Sequence, residues 1–400
     1  MYNLIDRQVV LGITGSIAAY KAADLASKLT QAGALVDVVM TEAATRFVTP
    51  LTFKGVTGRQ VYVDMFSDAS PSAEIHVELG RQADVVVIAP ATATLIARLA
   101  LGLAEDMVSL TALATKAPIV ICPAMDANMF ENVAVQTNLA TLTERGVLIV
   151  GPERGRLASG HMGAGRLADT ETIMGAVRYL LGRDGALAGM KIVVSAGGTQ
   201  EPIDPVRFVG NYSSGKMGYA LAEAARDRGA QVVLVAAPTS LTDPYGVKLV
   251  RVRQAQEMRD AVAAECQEAQ AVIMAAAVAD YQPAQSSSRK IKRNQKELTL
   301  ELKPTPDILA GLSRDDHLIK VGFAAESNDL VANARNKLKT KGLHIVVAND
   351  VNPPASVFGS DTNKVVLLDR NGGVDELPVL PKYEVAQRIL DRVAGLLNRG

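Results

Sequence analysis

"QVVLGITGSIAAYKAADLASKLTQAGALVDVVMT", residues 8–41, contains a complete strand–turn–helix–strand unit. "QVVLGITG" is apolar without alternation, which suits a strand covered on both faces. "IAAYKAADLASKLTQAG" has the Ala/Leu-rich character of a helix. Gly33 follows its last turn, where glycine takes the left-handed conformation that stops a helix. "ALVDVVMT" reads as a second strand. Two strands joined through a helix pair in parallel, because a hairpin cannot connect them.

The same rhythm continues along the chain. "ADVVVIAP" (83–90), "APIVICP" (117–123) and "GVLIVGP" (146–152) read as further strands, with helical sequence from Thr92 to Thr115. At Met190 the pattern restarts. "MKIVVSAGG", "QVVLVAAP", "AQAVIMAAAVAD" and "LHIVVAND" are strands, and "MGYALAEAARDRGA" is a helix again followed by Gly-Ala (Gly229-Ala230). Apolar strands alternating with helices predict an α/β fold with two doubly wound, mostly parallel-sheet domains. The boundary is expected in the glycine-rich "LGRDGALAG" (181–189), giving domains 1–185 and 189–400.

Composition narrows the function. Hydrophobic residues make up 48% of the 400, enough for a sizeable core in each domain. Lys plus Arg and Asp plus Glu both number 42, so the chain lacks the basic surplus of a nucleic-acid binder or an electrostatic membrane anchor. Cys122 and Cys266 form no CxxC pair, which fits a reducing compartment rather than a disulfide framework. His76, His161, His317 and His344 show no metal-ligand spacing. "MYNLIDRQVV" has no signal-peptide pattern, and Arg98 and Glu105 interrupt the long apolar region after Val85. The expectation is a soluble cytoplasmic protein with no membrane or nucleic-acid partner.

Parallel sheets bind ligands beyond the C-terminal ends of their strands. "GITGSIAAYK" (12–21) lies at such an end. It is either a plain tight turn or a phosphate cradle, with Ser16 and a helix N-terminus to receive an anion. It lacks G-x-G-x-x-G, which favours a mononucleotide phosphate over NAD. "GNYSSGKMG" (210–218) matches G-x-x-x-x-G-K, but Met217 stands where a P-loop needs a hydroxyl for Mg²⁺. A different anion loop is the better reading. His76, just before the strand ending in "APAT", is either a surface histidine or a base. "QPAQSSSRKIKRNQKE" (282–297) is an exposed flap whose cations either face solvent or neutralise phosphates. Asp280 follows an apolar strand and so lies at a ligand edge. "PAMDANMF" (123–130) closes another strand and forms a candidate site floor, with Met125 and Met129 expected to pack.

Taken together, "GITGSIAAYK", "HVELGRQAD", "IAPATA", "PAMDANM" and "GAGRL" resemble the first half of the bifunctional phosphopantothenoylcysteine decarboxylase/phosphopantothenate–cysteine ligase family of coenzyme A synthesis. "AGGTQEPIDPVRFVGNYSSGKMG", "AAAVADY", "KIKR", "TPDIL", "GFAAE" and "VANDV" resemble its second half. The resemblance covers nearly the whole chain. It implies a flavodoxin-like FMN domain followed by a Rossmann-like ligase domain. Gly15, Ser16, Thr41, Pro90, Ala91 and Thr92 match FMN-contacting positions, and His76 matches the catalytic base. Met125, Asp126 and Arg166 match substrate-binding positions. The ligase would use CTP and Mg²⁺ to activate 4'-phosphopantothenate as an acyl-cytidylate, which L-cysteine then attacks. Asn211 matches the residue associated with turnover of that intermediate. Asp280, Lys290, Thr305, Pro306, Asp307, Phe323, Lys337 and Lys341 match CTP-contacting positions, with Lys290 also counted as catalytic. Trimeric contacts of the first half and dimeric contacts of the second would build a homo-oligomer, a dodecamer.

The resemblance also explains the need for a flavin. A cysteine carboxylate has no electron sink beside it. Oxidation of the thiol to a thioaldehyde creates one, and the same flavin returns the electrons after CO₂ leaves. Two positions depart from the family pattern. Asp126 replaces an asparagine that holds the substrate carboxylate, and Ser159 in "RLASGHMGAGRL" replaces a proton-donating cysteine. A carboxylate facing a carboxylate repels, and a hydroxyl is a weaker acid than a thiol. The proton donor is then Ser159, His161 or water. These departures also motivate a second expectation, a working ligase fused to a regulatory or impaired flavin module.

Overall fold

The computed structural model describes residues 4–66, 74–292, 298–312, 317–326, 329–350 and 359–398. The chain divides into two compact units, Met1–Gly182 and Arg183–Gly400.

In the first unit six strands form one sheet: β1 (Gln8–Ile13), β2 (Leu35–Met40), β3 (Val61–Tyr62), β4 (Val85–Ala91), β5 (Ile119–Pro123) and β6 (Leu148–Ile149). Their order is β3-β2-β1-β4-β5-β6, and every pairing is parallel. Without the two-residue edge strand β3, the order is the 2-1-3-4-5 of flavodoxin-like sheets. Val9, Leu11, Val36, Val38 and Val85–Ile88 are buried. Helices cover both faces, which is why these strands are apolar throughout rather than alternating. The chain reverses its winding between β1 and β4, so a crevice opens beyond their C-terminal ends. A hairpin of β7 (Glu153–Arg156) and β8 (Met162–Arg166) stands apart from the sheet.

The sequence from Thr92 to Thr115 is not one helix. It forms Ala93–Leu101 and Met107–Ala114, broken at Gly102, whose φ of 74° ends the first. Asp106 caps the second by accepting from Ser109 N at 2.9 Å. Arg98 binds Asp106 at 2.6 Å and Glu105 at 3.0 Å. The charges that interrupt the apolar run therefore neutralise one another at the break. Among the described residues, no helix is long and apolar enough to cross a membrane.

The second unit repeats the arrangement. Among the described residues its strands are β9 (Lys191–Ala196), β10 (Gln200–Pro202), β11 (Phe208–Gly210), β12 (Gln231–Ala236), β13 (Lys248–Arg251), β14 (Ala271–Met274), β15 (Tyr281–Pro283), β16 (Leu302–Pro304), β17 (Ile319–Glu326), β18 (Ile345–Asp350), β19 (Thr362–Asn363), β20 (Val365–Asp369), β21 (Val374–Glu376) and β22 (Leu380–Pro381). The large sheet runs β13-β12-β9-β14-β17-β18-β20-β21. The pairings are parallel as far as β18, and β20 and β21 close the edge in antiparallel fashion. Counted within the sheet, the six parallel strands again follow 3-2-1-4-5-6, the dinucleotide-fold order. Gly33 and Gly229 have φ of 91° and 88°, so both second strands follow the expected left-handed helix stop.

A buried ion pair holds the second unit's helix Lys216–Arg226. Arg226 donates to Asp227 Oδ1 from Nε at 2.8 Å and from Nη2 at 2.5 Å, and to the Tyr245 carbonyl at 2.6 Å. Tyr383 Oη donates to Asp227 Oδ2 at 2.6 Å. Both ionic side chains are essentially inaccessible. Asp227→Ala leaves the guanidinium buried without its counter-charge, and should destabilise this unit by about 3–5 kcal/mol. A lowered thermal midpoint for the second unit's transition checks this.

Candidate active sites

The first site lies at the crevice between β1 and β4. Thr14 is buried at the end of β1. Its Oγ1 donates to the Pro90 carbonyl at 2.7 Å and accepts from Thr92 N at 3.0 Å. One hydroxyl therefore ties the two strand ends together. Thr92 caps Ala93–Leu101, accepting from Leu95 N at 3.4 Å. Thr41 caps the short helix Glu42–Thr45, accepting from Ala44 N at 3.3 Å, while its own N–H donates to Ile13 O at 3.0 Å. Ser16 Oγ accepts from Ala18 N at 3.2 Å. Gly15, Ser16, Thr41, Pro90, Ala91 and Thr92 thus meet at one sheet edge, with helix N-termini directed outward, a setting suited to a phosphate.

Gly15 is what lets two of these turns meet. A Cβ there would come 2.6 Å from Ala43 Cβ, closer than packed carbons tolerate. Gly15→Val should force the turns apart and, with FMN held where the resemblance implies, strip most of it from the purified chain, about tenfold or more. Flavin absorbance per chain measures it, and the second unit serves as an internal control.

His76 is the second residue of the helix Ile75–Gln82. That helix returns the chain between parallel strands, so it runs against them and starts at their C-terminal edge. His76 is half-buried, and its Nδ1 is buried with no hydrogen-bond partner among the described residues. A buried ring nitrogen without a partner is costly, and such exceptions mark places where a ligand or a proton is handled.

The segment after β5 forms the floor. Met125 N donates to Gly165 O at 3.1 Å. Asp126 caps the short helix Ala127–Phe130, its Oδ1 accepting from Asn128 N at 3.1 Å. Its other oxygen accepts from Ser159 Oγ at 2.7 Å, across the β7–β8 hairpin. The Ser159 hydroxyl, the Asn128 amide and the nearby His161 hold the Asp126 carboxyl below the usual carboxylate range. The acid expected to face a substrate carboxylate is here supplied with donors of its own. Met125 packs against the apolar cluster of the unit. Met129 does not pack as expected and is 51% exposed. Arg166 ends β8, its side chain beside Gly155.

In the second unit a cavity of about 560 Å³ opens at the C-terminal ends of β14 and β17. Asn211, Asp280, Thr305, Pro306, Asp307, Phe323, Lys337 and Lys341 line it together. Lys290 is exposed in the flap and is not among the lining residues. Asn211 Nδ2 donates to Val278 O at 3.1 Å. Thr305 N donates to Asp280 O at 3.0 Å, and Thr305 Oγ1 to Ala279 O at 2.5 Å. Asp307 caps Ile308–Gly311, accepting from Ala310 N at 3.0 Å, and is paired with Lys341. Burial pushes the Asp307 carboxyl upward, but Lys341, the Ala310 amide and Lys337 outweigh this and hold it below its ordinary range. Lys337 Nζ donates to Phe323 O at 2.7 Å.

Sequence reasoning did not select Lys216, Asn349 or Lys382, which also line this cavity. Lys216 donates to Asp361 Oδ1 at 2.6 Å and to Gly359 O at 2.8 Å. Burial first, and then the charge of Lys216, push the Lys382 ammonium below its usual value. The G-x-x-x-x-G-K match does not form a P-loop: the β10–β11 hairpin intervenes between β9 and the helix at Lys216.

The described part of the basic flap is anchored. Ile291 N donates to Asp204 Oδ2 at 3.1 Å, and Arg207 Nη2 donates to Ile291 O at 2.7 Å and Asp204 Oδ2 at 2.5 Å. Arg207 holds the Asp204 carboxyl well below the ordinary range. This anchor is present above the usual carboxylate pKa and is lost only as pH falls through the depressed value. Residues 293–297 of the flap lie outside the described residues.

Comparison with known proteins matches one family model to each part of the chain. "Flavoprotein" covers residues 2–182, and "DNA/pantothenate metabolism flavoprotein C-terminal domain" covers residues 187–397. The chain is 44% identical over 397 residues to "Coenzyme A biosynthesis bifunctional protein CoaBC" of Bacillus subtilis (strain 168), spanning 98% of both. It is 44% identical over 396 residues to the protein of that name in Escherichia coli (strain K12), spanning 98% of this chain and 97% of that one. A solved structure of the C-terminal domain of a CoaBC protein is 41% identical, covers 54% of this chain and 100% of that chain, and has a TM-score of 0.47.

Proposed function

The chain belongs to the CoaBC family of bifunctional coenzyme A biosynthesis proteins, and on that premise we propose how its two units divide the work. It is a bifunctional enzyme with phosphopantothenoylcysteine decarboxylase and phosphopantothenate–cysteine ligase activities. Residues 1–185 form the FMN-dependent decarboxylase, and residues 189–400 form the CTP-dependent ligase. The observation that carries this division is the assembly of each candidate set at the C-terminal edge of its own sheet.

The residues of the first unit fit FMN. Backbone N–H groups of the turn at Gly15 and Ser16, with Thr41 and Pro90–Thr92, would hold its phosphate and orient its ring. FMN bound there would take up and return the electron pair that decarboxylation of a cysteine needs. His76 handles protons through its unpartnered Nδ1. Met125, Asp126 and Arg166 bound the substrate end of the site. In the second unit Lys337 and Lys341 face the triphosphate of CTP, where negative charge develops as pyrophosphate leaves. Asp280, Thr305, Pro306, Asp307 and Phe323 shape the nucleotide pocket, and Lys290 brings a further cation from the flap. Asn211 lines the same cavity and would act on the acyl-cytidylate that L-cysteine attacks. Among the described residues no cluster of three His, Cys, Asp or Glu side chains stands ready for a metal ion. Mg²⁺ would arrive on the triphosphate, held by few carboxylates, as is usual for this ion.

Exposed Leu101, Leu103 and Leu113 on the first unit, and Phe208, Tyr212 and Tyr281 on the second, offer apolar surface for self-association; the trimeric and dimeric contacts that would build a dodecamer are what the family resemblance implies. The buried free cysteines suit a cytoplasmic enzyme. Purified chain should show flavin absorbance. It should also release pyrophosphate from CTP only when 4'-phosphopantothenate is present. Colourless protein overturns the assignment of the first unit, and pyrophosphate release indifferent to phosphopantothenate overturns that of the second.

A further inference from the structure

Asp126 and Ser159, the two departures from the resembled motifs singled out in the sequence, touch. Ser159 Oγ lies 2.7 Å from Asp126 Oδ2, although the residues are 33 apart in sequence. An ionised carboxylate only accepts, so the serine donates and its single hydrogen is committed. Below that contact the hairpin is seated on the floor. Met125 N donates to Gly165 O at 3.1 Å. A Cβ on Gly163 would come 2.5 Å from Ala127 Cβ, and one on Gly165 would collide with the Met125 carbonyl. The tip closes on itself through Leu157 N to His161 O at 2.8 Å and Gly160 N to Leu157 O at 2.9 Å. Among the described residues the hairpin is fastened to the floor at its root by backbone and at its tip by this pair.

We propose that Asp126 is a positioning residue acting through Ser159: the pair is a latch that holds the β7–β8 hairpin on the floor of the flavin unit's site, and a substrate carboxylate opens it by competing for the same hydroxyl hydrogen. One hydrogen serves one strong acceptor. An incoming carboxylate meets a charge of its own sign at Asp126 and so engages Ser159 only by displacing that charge. The latch also removes Ser159 from the candidate proton donors. Giving its proton away would leave an alkoxide beside a carboxylate, and the acid is then His161 or water. The role of the substrate rests on the decarboxylase reading above, while the latch itself does not.

Amide hydrogen exchange at Met125, Leu157 and Gly160 in the full chain tests the latch. Ser159→Ala should speed exchange at these amides about fivefold, as expected for loss of a hydroxyl–carboxylate bond at an accessible site. Ser159→Thr, which keeps the hydroxyl, should preserve the protection. In an Asp126→Asn background the effect of Ser159→Ala should shrink to about twofold, because the two groups act as one unit. Unchanged exchange in Ser159→Ala, or the same acceleration in both backgrounds, overturns the latch. With 4'-phosphopantothenoylcysteine, Asp126→Asn should lower KM by roughly three- to tenfold with a smaller change in kcat. An unchanged or raised KM overturns the competition, whatever the exchange shows. Absence of CO₂ release from the unaltered chain would count against the decarboxylase reading alone.

Discussion

Replacing His76 with Asn should cut CO₂ release by about 10²–10⁴-fold, the usual loss when a positioned proton-transfer group is removed. The size follows from the state of the ring. Its Nδ1 is buried and has no hydrogen-bond partner among the described residues, so none of the structural bonds described is lost with it. Asparagine occupies similar space but cannot take up and release a proton near neutral pH. Bound flavin should therefore remain, since the turns proposed to cradle it, at Gly15, Ser16, Thr41 and Pro90–Thr92, are held by their own hydrogen bonds. Pyrophosphate release by the second unit should be unaffected. Loss of flavin together with CO₂ release would mean that His76 supports the cradle rather than the proton transfer.

Lys341→Ala should lower kcat/KM for CTP-dependent pyrophosphate release by about 10²-fold, within the range seen when one preorganised charge-stabilising group is deleted. Two effects act in the same direction. The ammonium that would face the triphosphate disappears. Its partner Asp307, held below the ordinary carboxylate range partly by that lysine, becomes an unpaired anion in the nucleotide pocket. The added removal of that charge in Lys341→Ala/Asp307→Asn should recover part of the loss, because the repulsion goes while the missing cation does not return. Steady-state pyrophosphate measurements at varied CTP separate the two. If the double variant is no better than the single, Asp307 matters as the cap of Ile308–Gly311 and not through its charge.

The doubly wound pattern was legible because the central strands are buried on both faces and so read as unbroken apolar runs. β17 was not legible as a strand. Lys320 and Gly322 interrupt its pattern, yet Lys320 is buried, with its Nζ donating to Leu312 O at 3.2 Å. A tertiary partner makes a lysine acceptable where hydropathy speaks against it. The long helical stretch after Thr92 concealed the break at Gly102, since Ala and Leu continue beyond it. The edge strands β20 and β21 were also missed, because short antiparallel edges lack the uniform apolar run of the parallel core. Lys382 reaches the second cavity only through the fold, and nothing in its local sequence marks it. Asn349 stands inside the quoted "VANDV" but was not singled out as a site residue. Asp126 and Ser159 were each marked in the sequence, but their contact was not. Sequence could flag an acid facing a substrate carboxylate, but only the hairpin's path shows the hydroxyl bonded to it.

Both units are tested together by supplying the purified chain with CTP, Mg²⁺, 4'-phosphopantothenate and L-cysteine and measuring the mass of the pantothenate-derived product. The predicted product is 4'-phosphopantetheine, formed with release of pyrophosphate and CO₂. Accumulation of a product two hydrogens short would mean that the flavin unit decarboxylates but fails to complete reduction and protonation. Accumulation of unchanged 4'-phosphopantothenoylcysteine, with flavin bound, would contradict the account by leaving a working ligase joined to an inactive flavin unit.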